Sequence, residues 1–280
     1  MNLKWVIKNP LYILIFGAVI AFVFTGGIMA LHAATQAMVQ RQEEAFTQRA
    51  MIELFGIEPN DPQTGEPIPV DQLSEEEVGR IYNRRIYWPE ADNSIRITEA
   101  AVGMQGVSEQ DVGKVIRVVE AYSAPPTEAE GGELIGYAFP VYGIGYWARI
   151  DGWMAVDPQL EQILGIVFLR HSETPGLGGR ITENAWREGF EGKSIAAPEE
   201  EDTRWVYIGG PVADDPNSPR FQRRVDAVTG ATGTSSAVQN FLNDRIPEFR
   251  AAALVAIEQG RLPKGADDEQ YWRERLGEEE

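Results

Sequence analysis

Between Lys8 and Arg41 the chain has no charged side chain other than a protonatable His32, and Leu11 to Leu31 is 21 residues of nearly unbroken apolarity. A helix of that length covers about 30 Å, the thickness of a hydrocarbon core. A cleaved signal peptide is the competing reading, since Lys4 and Lys8 form a basic start and Ala33-Ala34 offers small residues. The apolar core of a typical signal peptide is shorter, so a retained membrane anchor is expected. Lys4 and Lys8 lie on the short side of the segment. By the positive-inside rule they place the N-terminus in the cytoplasm and everything after residue 32 outside. Gly26 and Gly27, with Gly17 farther back, would allow close packing against another membrane helix, although single glycines are common in such helices.

The rest of the chain excludes several chemistries. Lys+Arg 25 against Asp+Glu 43 leaves a net charge of −18, which opposes sequence-independent phosphate binding, so nucleic acid is a poor candidate partner. The absence of cysteine removes disulfides, thiolate nucleophiles, iron–sulfur ligation and cysteine-rich zinc sites, and it fits an extracytoplasmic location. His32 and His171 are the only histidines, which leaves little for a metal centre or a serine triad. Chemistry by carboxylates, hydroxyls, backbone amides or a borrowed organic cofactor is what survives.

Four segments follow from patterning: an N-terminal stub and membrane helix at 1–34, a helical and loop lead-in at 35–95, a folded domain at 96–260, and a charged tail at 261–280. Residues 36–55 have helical spacing that stops at Gly56, and 57–69, with four prolines, reads as an exposed loop. A short helix is expected at 71–82 and a strand at 115–122, with flexible chain after it. The densest strand signal is 133–147, 148–158 and 162–171, separated by glycines and an Asp157-Pro158 turn, which predicts a largely antiparallel sheet. The acidic run Glu199 to Asp202 reads as a solvated loop, and the tail from Lys264 as exposed surface. A last amphipathic helix is expected from Ser235 to Glu258, kinked or divided at Pro247. The predicted class is therefore α+β: a single N-terminal transmembrane helix followed by an extracytoplasmic domain with a mainly antiparallel sheet flanked by helices.

Two motifs carry chemistry. Asp226-Ala227-Val228-Thr229-Gly230-Ala231-Thr232-Gly233-Thr234-Ser235-Ser236 is a strand end followed by small and hydroxylated residues that open a helix. Free backbone N–H groups and the positive end of the helix dipole favour a phosphate there. The plainer alternative is that Thr234 or Ser235 caps the helix while the glycines make the turn. Glu173-Thr174-Pro175-Gly176-Leu177-Gly178-Gly179 follows a strong strand, and its glycines would let backbone approach a planar ligand closely, or would simply turn the chain.

Together these residues resemble the FMN-binding domain family found in the sodium-translocating NADH:quinone oxidoreductase, as its NqrC component, and in the Rnf electron-transport complex, as its RnfG component. The Thr229-Gly230-Ala231-Thr232 block with Thr234 and Ser235, preceded by Asp226, looks like the family's flavinylation motif, and Glu173 to Gly179 looks like its flavin-proximal loop. The resemblance implies that Thr232 carries FMN as a phosphoester. Gly233 stands where an apolar residue is more usual, which leaves Thr234 as the alternative position. It further implies that Thr229, Gly230, Ala231, Ser235, Asp226, Glu173, Thr174, Pro175, Gly176, Leu177 and Gly178 surround the cofactor, within an FMN-binding domain at 96–260. Asp226 is either an aid to flavin attachment or a turn residue, and Glu173 either touches the flavin or anchors its loop. Gly143, Gly145, Tyr146, Trp147 and Trp153 would wall the ring, or belong to plain core.

The function so implied is an electron relay inside an ion-translocating membrane complex, an electron-transfer subunit rather than a catalyst by itself. Its partners would be other membrane subunits of a redox-driven ion pump and, during maturation, a flavin-attaching transferase. Two other classes stay open at this point: a free-standing extracytoplasmic flavin carrier, and a non-redox module that binds an anion at the same helix start.

Overall fold

The computed structural model describes residues 10–60, 64–87, 94–125, 132–198, 204–210, 215–216 and 218–263. Lys4 and Lys8, parts of the 57–69 loop and of the chain after the 115–122 strand, the acidic run at 199–202 and the tail from Lys264 lie outside those residues. The chain separates into two compact units, Met1–Thr47 and Gln48–Glu280.

Helix α1 (Pro10–Leu54) is continuous. The sequence reading divides this stretch into a membrane segment and a second helix, but no proline interrupts it, so one run of backbone hydrogen bonds serves both. Within the first unit, Pro10–Gln36 has a mean hydropathy of 2.4 and no buried residue; among the described residues it is the one helix long and apolar enough to cross a membrane. The helix ends in the second unit as expected at Gly56, whose φ of 60° suits glycine. The Gly56 N–H donates to Glu53 O and the Ile57 N–H to Ile52 O, the paired bonds of a Schellman motif.

Helix α2 (Glu75–Arg85) begins later than the expected 71–82 because Ser74 and Glu77 form a reciprocal capping box, leaving Asp71 in a separate single turn, Val70–Gln72. It runs directly into β1 (Ile86–Tyr87). The predicted 115–122 strand is split. β3 (Val115–Arg117) pairs with β2 (Ser94–Arg96), whereas β4 (Val119–Tyr122) enters the main sheet with all four residues buried. The three strongest strand signals hold as β5 (Leu134–Ile144), β6 (Arg149–Val156) and β7 (Ile163–Arg170). The sheet order is β1-β4-β5-β6-β7, antiparallel at every pairing.

Next come α3 (Asn184–Arg187), β8 (Tyr207–Ile208), α4 (Pro219–Gln222) and β9 (Arg224–Val225), with β8 parallel to β9, and then α5 (Thr232–Glu258). Strand alternation sends Tyr137, Phe139, Val141, Ile150 and Met154 to one sheet face, where α5 covers them with Phe241, Leu242, Ile246 and Phe249. The Phe139 and Phe249 rings stack with centroids 3.9 Å apart. Burying each such ring contributes about 2–3 kcal/mol. The opposite face, carrying Ala138, Ala155 and Val167, is covered by the end of α1 (Met51, Ile52, Phe55) and by Val78 of α2. A three-layer α/β/α stack results.

Pro247 does not divide α5. Its ring packs against Gly106, where φ is 82° and a Cβ would stand 2.6 Å from the proline Cβ. Tertiary packing thus holds the helix across a residue that removes one of its hydrogen bonds.

Candidate functional site

Three segments meet at the N-terminus of α5. The β5–β6 hairpin closes with the Gly145 N–H on Ala148 O, which puts Tyr146 and Trp147 at its tip. The chain leaving β7 turns at Thr174-Pro175-Gly176-Leu177, where the Leu177 N–H donates to Thr174 O at 3.1 Å and Gly176 has φ 74°. Proline then glycine at the centre of such a turn is the signature of type II. The third segment leaves β9 at Asp226, turns at Gly230 (φ 78°) and enters α5.

A buried carboxylate joins them. Glu173, 4% exposed, accepts the Trp147 N–H on Oε1 at 3.1 Å and the Thr234 hydroxyl on Oε2 at 2.6 Å. Its own N–H donates to His171 Nδ1 at 3.2 Å, and the Trp147 indole N–H donates to Thr174 Oγ1 at 3.1 Å. Two glycines make room for this group. A Cβ at Gly178 would lie 2.4 Å from Thr234 Oγ1, and one at Gly145 would lie 2.5 Å from Glu173 Oε1. Of the two roles the sequence left open, the geometry gives Glu173 that of anchoring the loop.

The helix opens three residues earlier than expected. Ala231 is the residue before it, no side chain caps it, and the first intrahelical bond is the Ser235 N–H to Ala231 O at 3.0 Å. Thr234 and Ser235 therefore do not cap: both are buried inside the first turn, and Ser235 Oγ accepts the Val228 N–H at 3.0 Å. Thr232 is the first helical residue and is exposed, as are Thr229 and Gly230. Among the described residues the N–H groups of Thr232, Gly233 and Thr234 and the Thr232 hydroxyl have no hydrogen-bond partner. Such an end holds an anion well.

Thr232 lies between two apolar neighbours of the adjoining segments. A Cβ at Gly230 would come 3.4 Å from Leu177 Cδ2, and one at Gly233 only 2.5 Å from Tyr146 Cδ2. Gly233, the departure from the family pattern, is thus the residue that admits the Tyr146 ring. Tyr146 (64% exposed), Trp147 (66%) and Leu177 (47%) leave an apolar surface beside the Thr232 hydroxyl, and the Tyr146 and Trp147 rings meet edge to face at 5.2 Å. Gly143 packs against Phe241 of α5. Trp153 is not part of this wall: it points to the opposite sheet face and packs with the core under α1 and α2, because its odd position in β6 alternates away from Ile150 and Met154.

The Asp226 carboxylate is solvent-facing and pairs with Arg224 Nη1 at 2.8 Å, while its carbonyl accepts the Trp186 indole N–H at 2.8 Å. Trp186 was not legible as a site residue, since it stands 40 positions before its partner and in no motif.

Residues 145–246 match the family described as "FMN-binding domain". The chain is 32% identical over 160 residues to the NqrC component of the Na(+)-translocating NADH-quinone reductase of Yersinia pestis, covering 56% of this chain and 57% of that one. With the corresponding component of the Pseudomonas aeruginosa reductase the identity is 33% over 134 residues, covering 48% and 50%. The chain therefore spans about half the length of these relatives. The crystal structure of Shewanella oneidensis NqrC superposes with a TM-score of 0.50 at 20% identity, covering 75% of this chain and 95% of that one. For the same component of the Na(+)-translocating NADH-quinone reductase from Parabacteroides distasonis the score is 0.52 at 19% identity, covering 77% and 95%. Those two share the fold of an apolar N-terminal helix with a mostly antiparallel α+β domain. Both glycine-bearing motifs fall inside the matched span, and through residues 145–246 the chain belongs to the FMN-binding domain family.

Proposed function

We propose that this chain is a membrane-anchored flavoprotein subunit that carries FMN on Thr232 and relays electrons within an ion-translocating complex of the NADH-quinone reductase kind. The observation that carries this reading is the contrast between two threonines. Thr234 is buried and committed to Glu173, whereas Thr232 presents an unpartnered hydroxyl to solvent at the mouth of α5. The residues fit the group: a hydroxyl for an ester bond, three leading amides for the remaining phosphate oxygens, and an apolar face of Tyr146, Trp147 and Leu177 for a planar ring. FMN supplies electron transfer when bound, and the chain supplies tethering and orientation. Glu173 keeps the ring-facing loop, the hairpin tip and the helix start in one arrangement, so that neither Trp147 nor Leu177 drifts from the attachment point. A covalent tether suits a domain outside the membrane, where lost cofactor is not readily replaced.

Anchoring through Pro10–Gln36, with the N-terminus cytoplasmic and the domain extracytoplasmic, belongs to the same proposal. So do the partners: other membrane subunits, and a flavin-attaching transferase that needs Thr232 accessible. The test is in-gel ultraviolet fluorescence of the denatured chain with peptide mass mapping, in cells that possess the transferase. FMN mass on the peptide containing Thr232 supports the proposal; its absence from that peptide defeats it.

A further inference from the structure

On the side of the β9 segment away from Thr232 lies a cavity of about 290 Å³, between α3 with the turn that follows it and α4 with β9. Trp186, Lys193, Phe221, Arg224 and Asp226 supply its chemistry. A smaller cavity of about 140 Å³ shares Ala185 and Trp186 with it and reaches Thr229, so the two form one groove beside the flavin-bearing turn.

Two properties select a ligand. The first is charge. Arg224 is neutralised by Asp226 at 2.8 Å, but among the described residues Lys193 has no carboxylate partner, and its ammonium sits 5.8 Å from the centre of the Phe221 ring. In a chain of net charge −18, this cavity carries an excess positive charge. The second is shape. Trp186 is held rigidly by its indole N–H on Asp226 O at 2.8 Å and by edge contact with Phe190 at 5.1 Å, so a flat aromatic wall stands ready without ordering cost. The volume suits one or two fused rings with an acidic group.

We infer that this cavity binds a planar aromatic anion, with the ring between Trp186 and Phe221 and the acid on Lys193. Thr232 does not line it, so the site goes beyond the flavin reading and is independent of it. The probe is 2-naphthoate, titrated calorimetrically into the full chain in mild detergent, in flavin-bearing and Thr232→Ala forms. Expected is one site of equal affinity in both forms. 2-Naphthalenemethanol, which lacks the charge, and cyclohexanecarboxylate, which lacks the flat ring, bind about tenfold weaker or worse. Lys193→Gln weakens 2-naphthoate about tenfold, the loss of one charged hydrogen bond, and Ala185→Leu, which fills the groove at its shared wall, weakens it further. Thermal melts confirm that each variant is folded; should Ala185→Leu be unfolded, Lys193→Gln and the two control ligands decide alone. Undiminished affinity in Lys193→Gln, equal affinity for the uncharged naphthalene, or loss of binding when flavin is attached each overturns the inference.

Discussion

The hydroxyl of Thr234 donates to Glu173 Oε2 at 2.6 Å, joining residues 61 positions apart in a buried bond, while the hydroxyl of Thr232, one half-turn earlier, faces solvent. Replacing Thr232 by Ala is expected to abolish covalent flavin and to change stability by less than about 1 kcal/mol, since an exposed hydroxyl with no partner is removed. Thr234→Ala should keep the flavin but cost about 1–3 kcal/mol, because a buried carboxylate loses its donor. Fluorescence of the denatured band and thermal melts read the two effects separately. Flavin lost from Thr234→Ala and retained in Thr232→Ala would move the attachment two residues along.

Gly178 touches both members of that pair. A methyl group there would stand 2.4 Å from Thr234 Oγ1 and 2.8 Å from Glu173 Oε2, so Gly178→Ala must separate them or shift the loop. A loss of about 1–3 kcal/mol in chemical denaturation is expected, as for overpacking elsewhere. Gly176, at φ 74° but with open space around it, should tolerate Asn far better than Val.

The acid limb of stability should carry a mark from Asp111. Its carboxyl is held down to about 2, first by Lys114 at 2.7 Å and then by the hydroxyl and N–H of Ser108. A depressed acid stabilises the fold fully above its ordinary value of 3.8 and loses that contribution as pH falls toward 2. Melting temperatures of the parent and Asp111→Asn should therefore differ at pH 5 and converge near pH 2. Lys114, which also reaches Glu248 at 2.5 Å, is raised in turn, so its contribution disappears only at strongly alkaline pH. A constant gap between the two proteins from pH 5 to 2 would rule out this linkage.

Orientation and assembly are tested in membranes. Protease added to intact spheroplasts should digest the domain, as expected when Lys4 and Lys8 hold the N-terminus inside. Purification in mild detergent should retain other membrane subunits. Protection of the domain until lysis would reverse the orientation, and a chain that runs alone even from native membranes would favour a free-standing carrier.

The membrane segment, the three long strands, the Gly56 stop and both glycine motifs were legible in the sequence because each is written within about twenty neighbouring residues: an apolar run, an alternation, a turn residue where the chain must turn. The tertiary structure decided what depends on distant partners. It split the 115–122 run between two sheets, carried α5 unbroken through Pro247 against Gly106, and turned Trp153 away from the site. Thr232 and Thr234 have the same side chain and nearly the same neighbours along the chain. What separates them is burial and a single acceptor, Glu173, brought up by a loop 61 residues earlier; a hydroxyl's availability is set by what packs over it, and that is a property of the fold.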